Sequence, residues 1–483
     1  MTEHVRQHRL FMPERVPHAW SVRFDQAEIS PQGERCDLAL NMVANVANGD
    51  EVVRNDFDKI SIFQRPIFNA TWDAANRRWC DFVARGEPGF TLTPTEENRE
   101  VVYRCKPFWY KLDMSGAQGP SFVSVSDRPL VGYTLAPMFK NGSRYEYRPC
   151  FEMALGDDGK PHSRAGLVPL DNSATGVMSA ARSYDSAAHT ERMADWFSDY
   201  LLLLVEFATR SPQSVMGGVA ERSLNARWQK ETEGELTAGF YVDDPTTLEV
   251  GARVGIEYTT NLSGVGMRFC HILGYGTQTA IGYPVQITLE NAEEFFADKQ
   301  ICELAYAPCL TGEALSHVTN ASSGTWGTLP ARPFVWRGKE NAWGNINSLI
   351  CDVMFDNDQP GGMVVCHLED MSLYDGTLNA NYARYDYGKP YMEGRDNWSY
   401  VVRFEAFGKP YLLVPTVLQK EYPEYYWATY TRHMPRTHTG IANLAVGGCY
   451  EYENGVNHGT YEISVSVMPY GFGGRLVLEE GAV

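Results

Sequence analysis

Nine residues in the second half of the chain, Arg337-Gly338-Lys339-Glu340-Asn341-Ala342-Trp343-Gly344-Asn345, place the tightest limit on how it can fold. They sit within Pro333 to Cys351, PFVWRGKENAWGNINSLIC, and bring an indole, two glycines and side-chain amides together in a run too crowded for a plain strand or helix. Glycine lets the backbone take positive φ or approach closely. Asn341 and Asn345 can hydrogen-bond neighbouring backbone groups and hold a non-repetitive turn. The stretch reads as a fold-defining loop under a buried Trp343.

Length and charge narrow the setting. A chain of 483 residues is long for one domain, so two or three packed units are expected, each with its own core. Sixty acidic residues against 42 Lys plus Arg give a net charge of −18, and no basic cluster interrupts it, so nucleic-acid binding is disfavoured. The opening MTEHVRQHRLFMPERV has no apolar stretch of the secretory kind, and no apolar run approaches the ~18 residues of a membrane span. A protein made in a cytoplasm, without a membrane span, is the expectation. Cysteines at 36, 80, 105, 150, 270, 302, 309, 351, 366 and 449 form no C-x-x-C pair, which predicts free thiols. Tyrosine outnumbers phenylalanine, 27 to 22, and this fits either amphipathic binding surfaces or a β-rich core with edge tyrosines.

Patterning supplies the elements. Residues 1–65 carry mixed polarity and turn signals such as Ser30-Pro31-Gln32-Gly33 and read as a separate arm. Phe68, Trp72, Trp79 and Phe82 flank Asp73-Ala74-Ala75-Asn76 and predict a hairpin. Val101 to Leu112 should be a strand broken at Pro107, with further strands at Phe122 to Val125 and Arg144 to Met153. From Ser186 to Arg210, Met193, Trp196, Phe197, Tyr200, Leu204 and Phe207 recur at three- and four-residue steps, predicting a helix with one apolar face, ended by Ser211-Pro212. Residues 231–330 differ: Thr247 to Leu289 alternates β-branched residues with glycines, a small all-β insertion, followed by a helical turn at Asn291 to Phe296 and a Ser/Thr/Gly linker. Strands are expected again at Met363 to Leu368, Val401 to Phe404, Pro410 to Val417, Glu462 to Val467 and Leu476 to Leu478.

R-G-x-E-N-x-W-G-N, preceded by Trp336 and followed by an apolar segment, resembles the central motif of the formylglycine-generating-enzyme-like branch of the C-type lectin fold, as found in phage tail-fibre and receptor-binding proteins and in retroelement-diversified variable proteins. Three further pieces look like that family in the same order. They are Lys106 to Pro137, Leu203 to Gly218, and Ala442 to Leu478 with Gly447-Gly448, Asn454-Gly455, Gly459 and Gly471-Phe472-Gly473-Gly474-Arg475-Leu476. The resemblance covers about residues 66–483. It implies an α+β fold: a C-type-lectin-like domain of mixed sheets and two packed helices, the second near Val177 to Tyr184, in halves 66–230 and 331–483 around the insertion 231–330. Residues 1–65 would attach to the virion. The fold-defining set would be Arg337, Glu340, Asn341, Trp343, Gly344, Asn345, Gly474 and Arg475.

The same resemblance implies function. In diversified relatives the segment matching Gly447 to Arg475 displays the variable residues, so Tyr450, Glu451, Tyr452, Asn454, Asn457, His458, Tyr461 and Ser464 are the ligand-binding candidates. Their mix of stacking area and adaptable hydrogen bonding suits recognition, while ordinary strand and loop positions remain the alternative; exposed tyrosines favour the first. The expected role is a bacteriophage virion protein, a tail-fibre or receptor-binding component attaching non-covalently to a host surface glycan or protein. It would contact other virion structural proteins and assemble as a homotrimer whose avidity multiplies a weak single site. The alternative is a head-decoration, neck or baseplate protein using the fold for packing.

Chemistry is not expected. Asp352, Asp356, Asn357, Asp358 and Gln359-Pro360 gather hard oxygen donors of the calcium-binding kind, but the lectin partner signature is missing, since Asp396-Asn397-Trp398 carries those residues in the wrong order. An Asx-rich turn is the reading. A formylglycine-generating oxidase needs a cysteine pair for copper near the closing segment, and Cys449 stands alone. No G-x-S-x-G, H-E-x-x-H or P-loop occurs, and His433 and His438 lie five residues apart across a proline. No catalytic residue, metal or cofactor is therefore assigned. The sequons at Asn69, Asn141, Asn261, Asn320 and Asn397 would matter only on a secretory route.

Overall fold

The computed structural model describes residues 17–25, 30–116, 119–140, 142–218, 239–242, 250–251, 253–258, 268–278, 282–289, 302–306, 309–320, 322–326, 333–359, 362–388, 398–419, 430–432, 440–447, 461–465 and 472–481. They form mostly sheet with few helices. The expected hairpin is present: strands Ile67–Asp73 and Arg78–Ala84 pair antiparallel, with Trp72 against Trp79 at 5.2 Å. Strand Arg99–Cys105 lies beside Ile67–Asp73, and Glu146–Pro149 closes that four-stranded sheet. Pro107 separates Arg99–Cys105 from Trp109–Asp113, which joins a different sheet alongside Phe122–Ser126 and Ala19–Arg23. One proline thus hands the chain from one sheet to the next.

Between the sheets runs the central helix Met193–Phe207, packed on Ala19–Arg23, Phe122–Ser126 and the strand Ser348–Asp356. It is shorter than expected from sequence. Residues 186–192 are not helical, because His189 and Val477 exchange backbone hydrogen bonds at 3.1 and 2.8 Å and hold the chain out against its last residues. The helix starts where Asp195 accepts from the backbone N–H of Arg192, a capping arrangement. A second departure matters more: all fifteen residues are buried, not one face. The polar positions Asp195, Asp199 and Glu206 are sunk in protein because each meets a buried cation, as described below. The shorter helix, Ala174–Tyr184, includes the segment expected near Val177 to Tyr184 and is capped by Ser173 Oγ, which accepts from Gly176 N at 3.1 Å.

The second half of the chain builds an eight-stranded sheet in the order 383–388, 363–367, 348–356, 441–446, 461–465, 430–432, 398–406, 413–419, antiparallel except between 461–465 and 430–432. Strands at 363–367, 398–406, 413–419 and 461–465 fall where the sequence predicts them, whereas 476–478 makes only the single bridge from Val477.

Two expected boundaries move. Residue 65 is not the end of a separate arm: Ala19–Arg23 is paired on both sides within its sheet, Ala47–Asn48 pairs in parallel with Ser323–Thr325, and Phe57 and Phe63 are fully buried in the main core. The apolar residues of 19–63 are too well matched to neighbouring sheets to remain outside. The strands between 239 and 306 form one antiparallel five-stranded sheet and pair only with one another among the described residues. That unit ends earlier than 330, however, since 309–326 packs into the main body through the short helix Glu313–His317 and the strand Ser323–Thr325. The helical turn expected at 291–296 lies outside the described residues.

Candidate functional site

Trp336-Arg337-Gly338-Lys339 is a tight hairpin turn, not an irregular loop from its first residue. Strands Phe334–Trp336 and Lys339–Glu340 pair across it, with φ of 51° at Arg337 and 83° at Gly338. Two successive positive φ values suit the right-handed twist of a two-residue connection, and glycine adopts the second without strain. The irregular part begins at Asn341, whose Oδ1 accepts from Phe334 N at 3.1 Å. Trp343 is 1% exposed, stacks toward Phe334 at 4.4 Å, and donates Nε1 to the carbonyl of Met216 at 2.9 Å.

Every charged or amide side chain of the motif has a buried partner. Arg337 grips Glu206 with Nη2 to Oε1 at 2.6 Å and Nε to Oε2 at 3.1 Å, while Nη1 reaches Asp58 at 2.8 Å. Trp336 Nε1 and Asn55 Nδ2 donate to the same Glu206 carboxylate. Lys339 is held by Asp199 and Glu191 at 3.1 and 2.5 Å, and Asp199 also takes Arg65 at 2.6 Å. Glu340 accepts from Gly312 N and Leu315 N at 2.6 and 2.8 Å and so caps the short helix. Asn345 donates to Glu152 at 2.5 Å and accepts from Cys309 N at 2.7 Å. Arg475 Nη1 donates to Cys150 O at 2.8 Å, and Nη2 to Asn341 O at 3.1 Å and to Glu340 O. The neighbouring Gly474 accepts from Met153 N through its carbonyl.

The structure therefore brings together all eight residues expected to define the fold, along with Met216 of the 203–218 piece. Burial pushes the Glu340 carboxyl up to about 8 and that of Glu152 to about 7, against the pull of the N–H groups they accept. Sequence reading did not single out Glu206, Asp199 or Glu191 as their partners. The available signal was the spacing 195, 199, 206, which places three carboxylates along one side of the helix.

The closing hairpin grows from this frame. Val446 pairs with Tyr461 across strands Ile441–Val446 and Tyr461–Val465, and the connection 447–460 leaves from that end. Its first residue is clamped: Gly344 N donates to Gly447 O at 2.9 Å, and Gly447 lies against the backbone of Trp343. The candidates Tyr450, Glu451, Tyr452, Asn454, Asn457 and His458 lie outside the described residues. Tyr461 and Ser464 are placed by backbone alone, opposite Val446 and Asn443.

The acidic stretch 352–359 does not converge. Asp352 is 2% exposed, accepts from Met193 N at 2.8 Å and faces His367, whereas Asp356 is four residues on in the same strand and pairs with Arg384, Gln359 and the backbone of Asp358. The turn at 356–359 is of the expected Asx type. No group of three or more potential metal ligands occurs among the described residues. Among the described residues, Cys36, Cys80, Cys105, Cys150, Cys351 and Cys366 form no disulfide. Cys449, His433 and His438 lie outside the described residues. No helix among the described residues is long and apolar enough to cross a membrane.

No protein-family model matches this chain, and no curated protein matches it either.

Proposed function

We propose that the protein is a bacteriophage virion component of the receptor-binding type, with a C-type-lectin-like frame that presents the 447–460 connection to a host surface glycan or protein. The observation that carries this reading is the clamp at the root of that connection, where the Trp343-Gly344 corner holds Gly447. A recognition loop needs a rigid base, since residues held by packed and hydrogen-bonded neighbours lose less freedom on binding. Two further features support it. The start and end of the 66–483 region lie side by side, with Trp79 N donating to Glu480 at 3.0 Å and Gly481 N to Arg77 O at 2.9 Å. Two helices also pack within the sheets, as such a frame requires. Catalysis forms no part of the proposal, and trimeric assembly would supply avidity.

The test replaces residues 449–458 by a Gly/Ser linker in the phage and measures adsorption to host cells, with the thermal midpoint of the purified protein as the folding control. A drop in adsorption of about a hundredfold or more, with intact particles, is the expected result. Unchanged adsorption ends the receptor-binding reading, and particles that fail to assemble point to the packing role in head, neck or baseplate instead.

A further inference from the structure

An open cleft of about 590 Å³ lies between strand Arg78–Ala84, Met138, Lys140 and residues 142–148, and residues 479–481. One wall is aromatic. Phe82 stacks on Tyr147 at 4.7 Å and 27°, and is 38% exposed. Tyr145 is flanked by the guanidinium of Arg104 at 4.4 Å and that of Arg144 at 5.4 Å. These rings offer flat apolar faces edged by donors.

Arg148 and Trp79 also line the cleft, and both are largely buried. Arg148 is 3% exposed and gives Nη2 to Asp195 at 2.7 Å, but its Nε and Nη1 meet no protein acceptor among the described residues. Trp79, 6% exposed, leaves its Nε1 in the same condition. The carboxylates across the cleft are committed or half-committed: Glu479 binds Lys140 at 2.9 Å and Arg192 at 2.7 Å, and Glu480 takes the backbone N–H of Trp79.

Charge decides the ligand class. Lys140, Arg144, Arg148 and Arg192 line the cleft, with Arg104 behind Tyr145, against Glu146, Glu479 and Glu480 with Asp195 bonded to Arg148, so the charges nearly offset. A balanced site in a chain of net charge −18 offers no net attraction to a phosphate, sulfate or nucleotide. An uncharged ring with one apolar C–H face and a rim of hydroxyls matches the aromatic wall and the mixed charged rim together. We infer that this cleft is a binding subsite for a neutral pyranose unit of a glycan. The site shares no lining residue with the 447–460 connection and does not depend on that connection binding anything.

Saturation-transfer NMR on the full-length protein tests it, with the methyl pyranosides of glucose, galactose, mannose and N-acetylglucosamine as probes and glucuronic acid as the charged control. At least one neutral pyranoside is expected to receive saturation, with Kd about 1 mM. Phe82→Ala, and separately Tyr145→Ala, should weaken it at least about tenfold. Replacing 449–458 should leave it unchanged. The inference is overturned if no neutral pyranoside receives saturation, if glucuronic acid binds more tightly than all of them, or if both aromatic variants bind like the parent. Phe82 sits at a partly exposed position, so its variant still decides the matter if Tyr145→Ala fails to fold.

Discussion

Arginines are used in two opposite ways in this molecule. Around Glu206, Arg337 is 1% exposed and its donors are spent on Glu206, Asp58 and Ser322, with Lys339 similarly matched to Asp199 and Glu191. Around Asp195, Arg148 is as deeply placed but keeps two nitrogens unmatched beside an open cleft. Burying a charge is tolerable only with a partner of good geometry. The first group meets that condition and behaves as frame. The second meets it through Asp195 and lines a cleft open to solvent.

This contrast can be broken most directly at Arg337. Arg337→Met leaves the Glu206 carboxylate, at 0% exposure, with the neutral donors of Asn55 and Trp336 but without the guanidinium that grips it, and the expected loss is about 3 to 5 kcal/mol, read as a lower urea midpoint. If Arg337→Met is neutral, the frame is not held by that pair.

The next effect is in pH. Glu340 near 8 and Glu152 near 7 both stand above the ordinary carboxyl value, so the folded state holds their protons more tightly than the unfolded chain does. Their contribution is complete below about 4.5 and is lost as pH rises through 7 and 8. Asp195 and Glu479 run the other way: burial opposes their ionised forms, but Arg148 and Arg192 beside Asp195, and His189 and Arg192 beside Glu479, outweigh it and depress both. What those two contribute is present above about pH 4 and lost in acid. Urea midpoints measured across pH should peak at about 5 to 6 and fall on both sides. A profile still rising from pH 6 to 9 would contradict the assignment of the two glutamates.

Smaller again is Gly447→Ala. The residue has φ of 91°, so a side chain there strains the clamp at a cost of about 1 to 2 kcal/mol, visible as a lower thermal midpoint. The smallest effect belongs to the cleft rim. Arg144→Ala should change stability by no more than about 0.5 kcal/mol, because Arg144 is exposed and its role there is recognition, not support.

How much of this could be read from the chain depended on whether the signal was local. The 67–84 hairpin, the Pro107 break and the core of the central helix follow from aromatic spacing and backbone chemistry within a few residues. The burial of Trp343 was legible in the same way. The carboxylates Asp195, Asp199 and Glu206 were not, since a polar stripe on a helix ordinarily means solvent, and only the arrival of Arg148, Lys339 and Arg337 from distant segments reverses that. Residues 19–63 were misjudged for a related reason: their strand partners lie at 122–126 and 323–325, far along the chain. The cleft was invisible because its walls come from three separated stretches.

Arg475 is inserted among the carbonyls of Cys150, Glu340 and Asn341, and Val477 bridges to His189, so the interior is sealed by a segment that follows its partners by more than a hundred residues. A nascent chain would carry an unfilled slot beside the Trp343 corner until Arg475 emerged from the ribosome. Completion of folding would then wait for that segment, and a product ending before Gly473 would be exposed to proteases with its two halves unlatched.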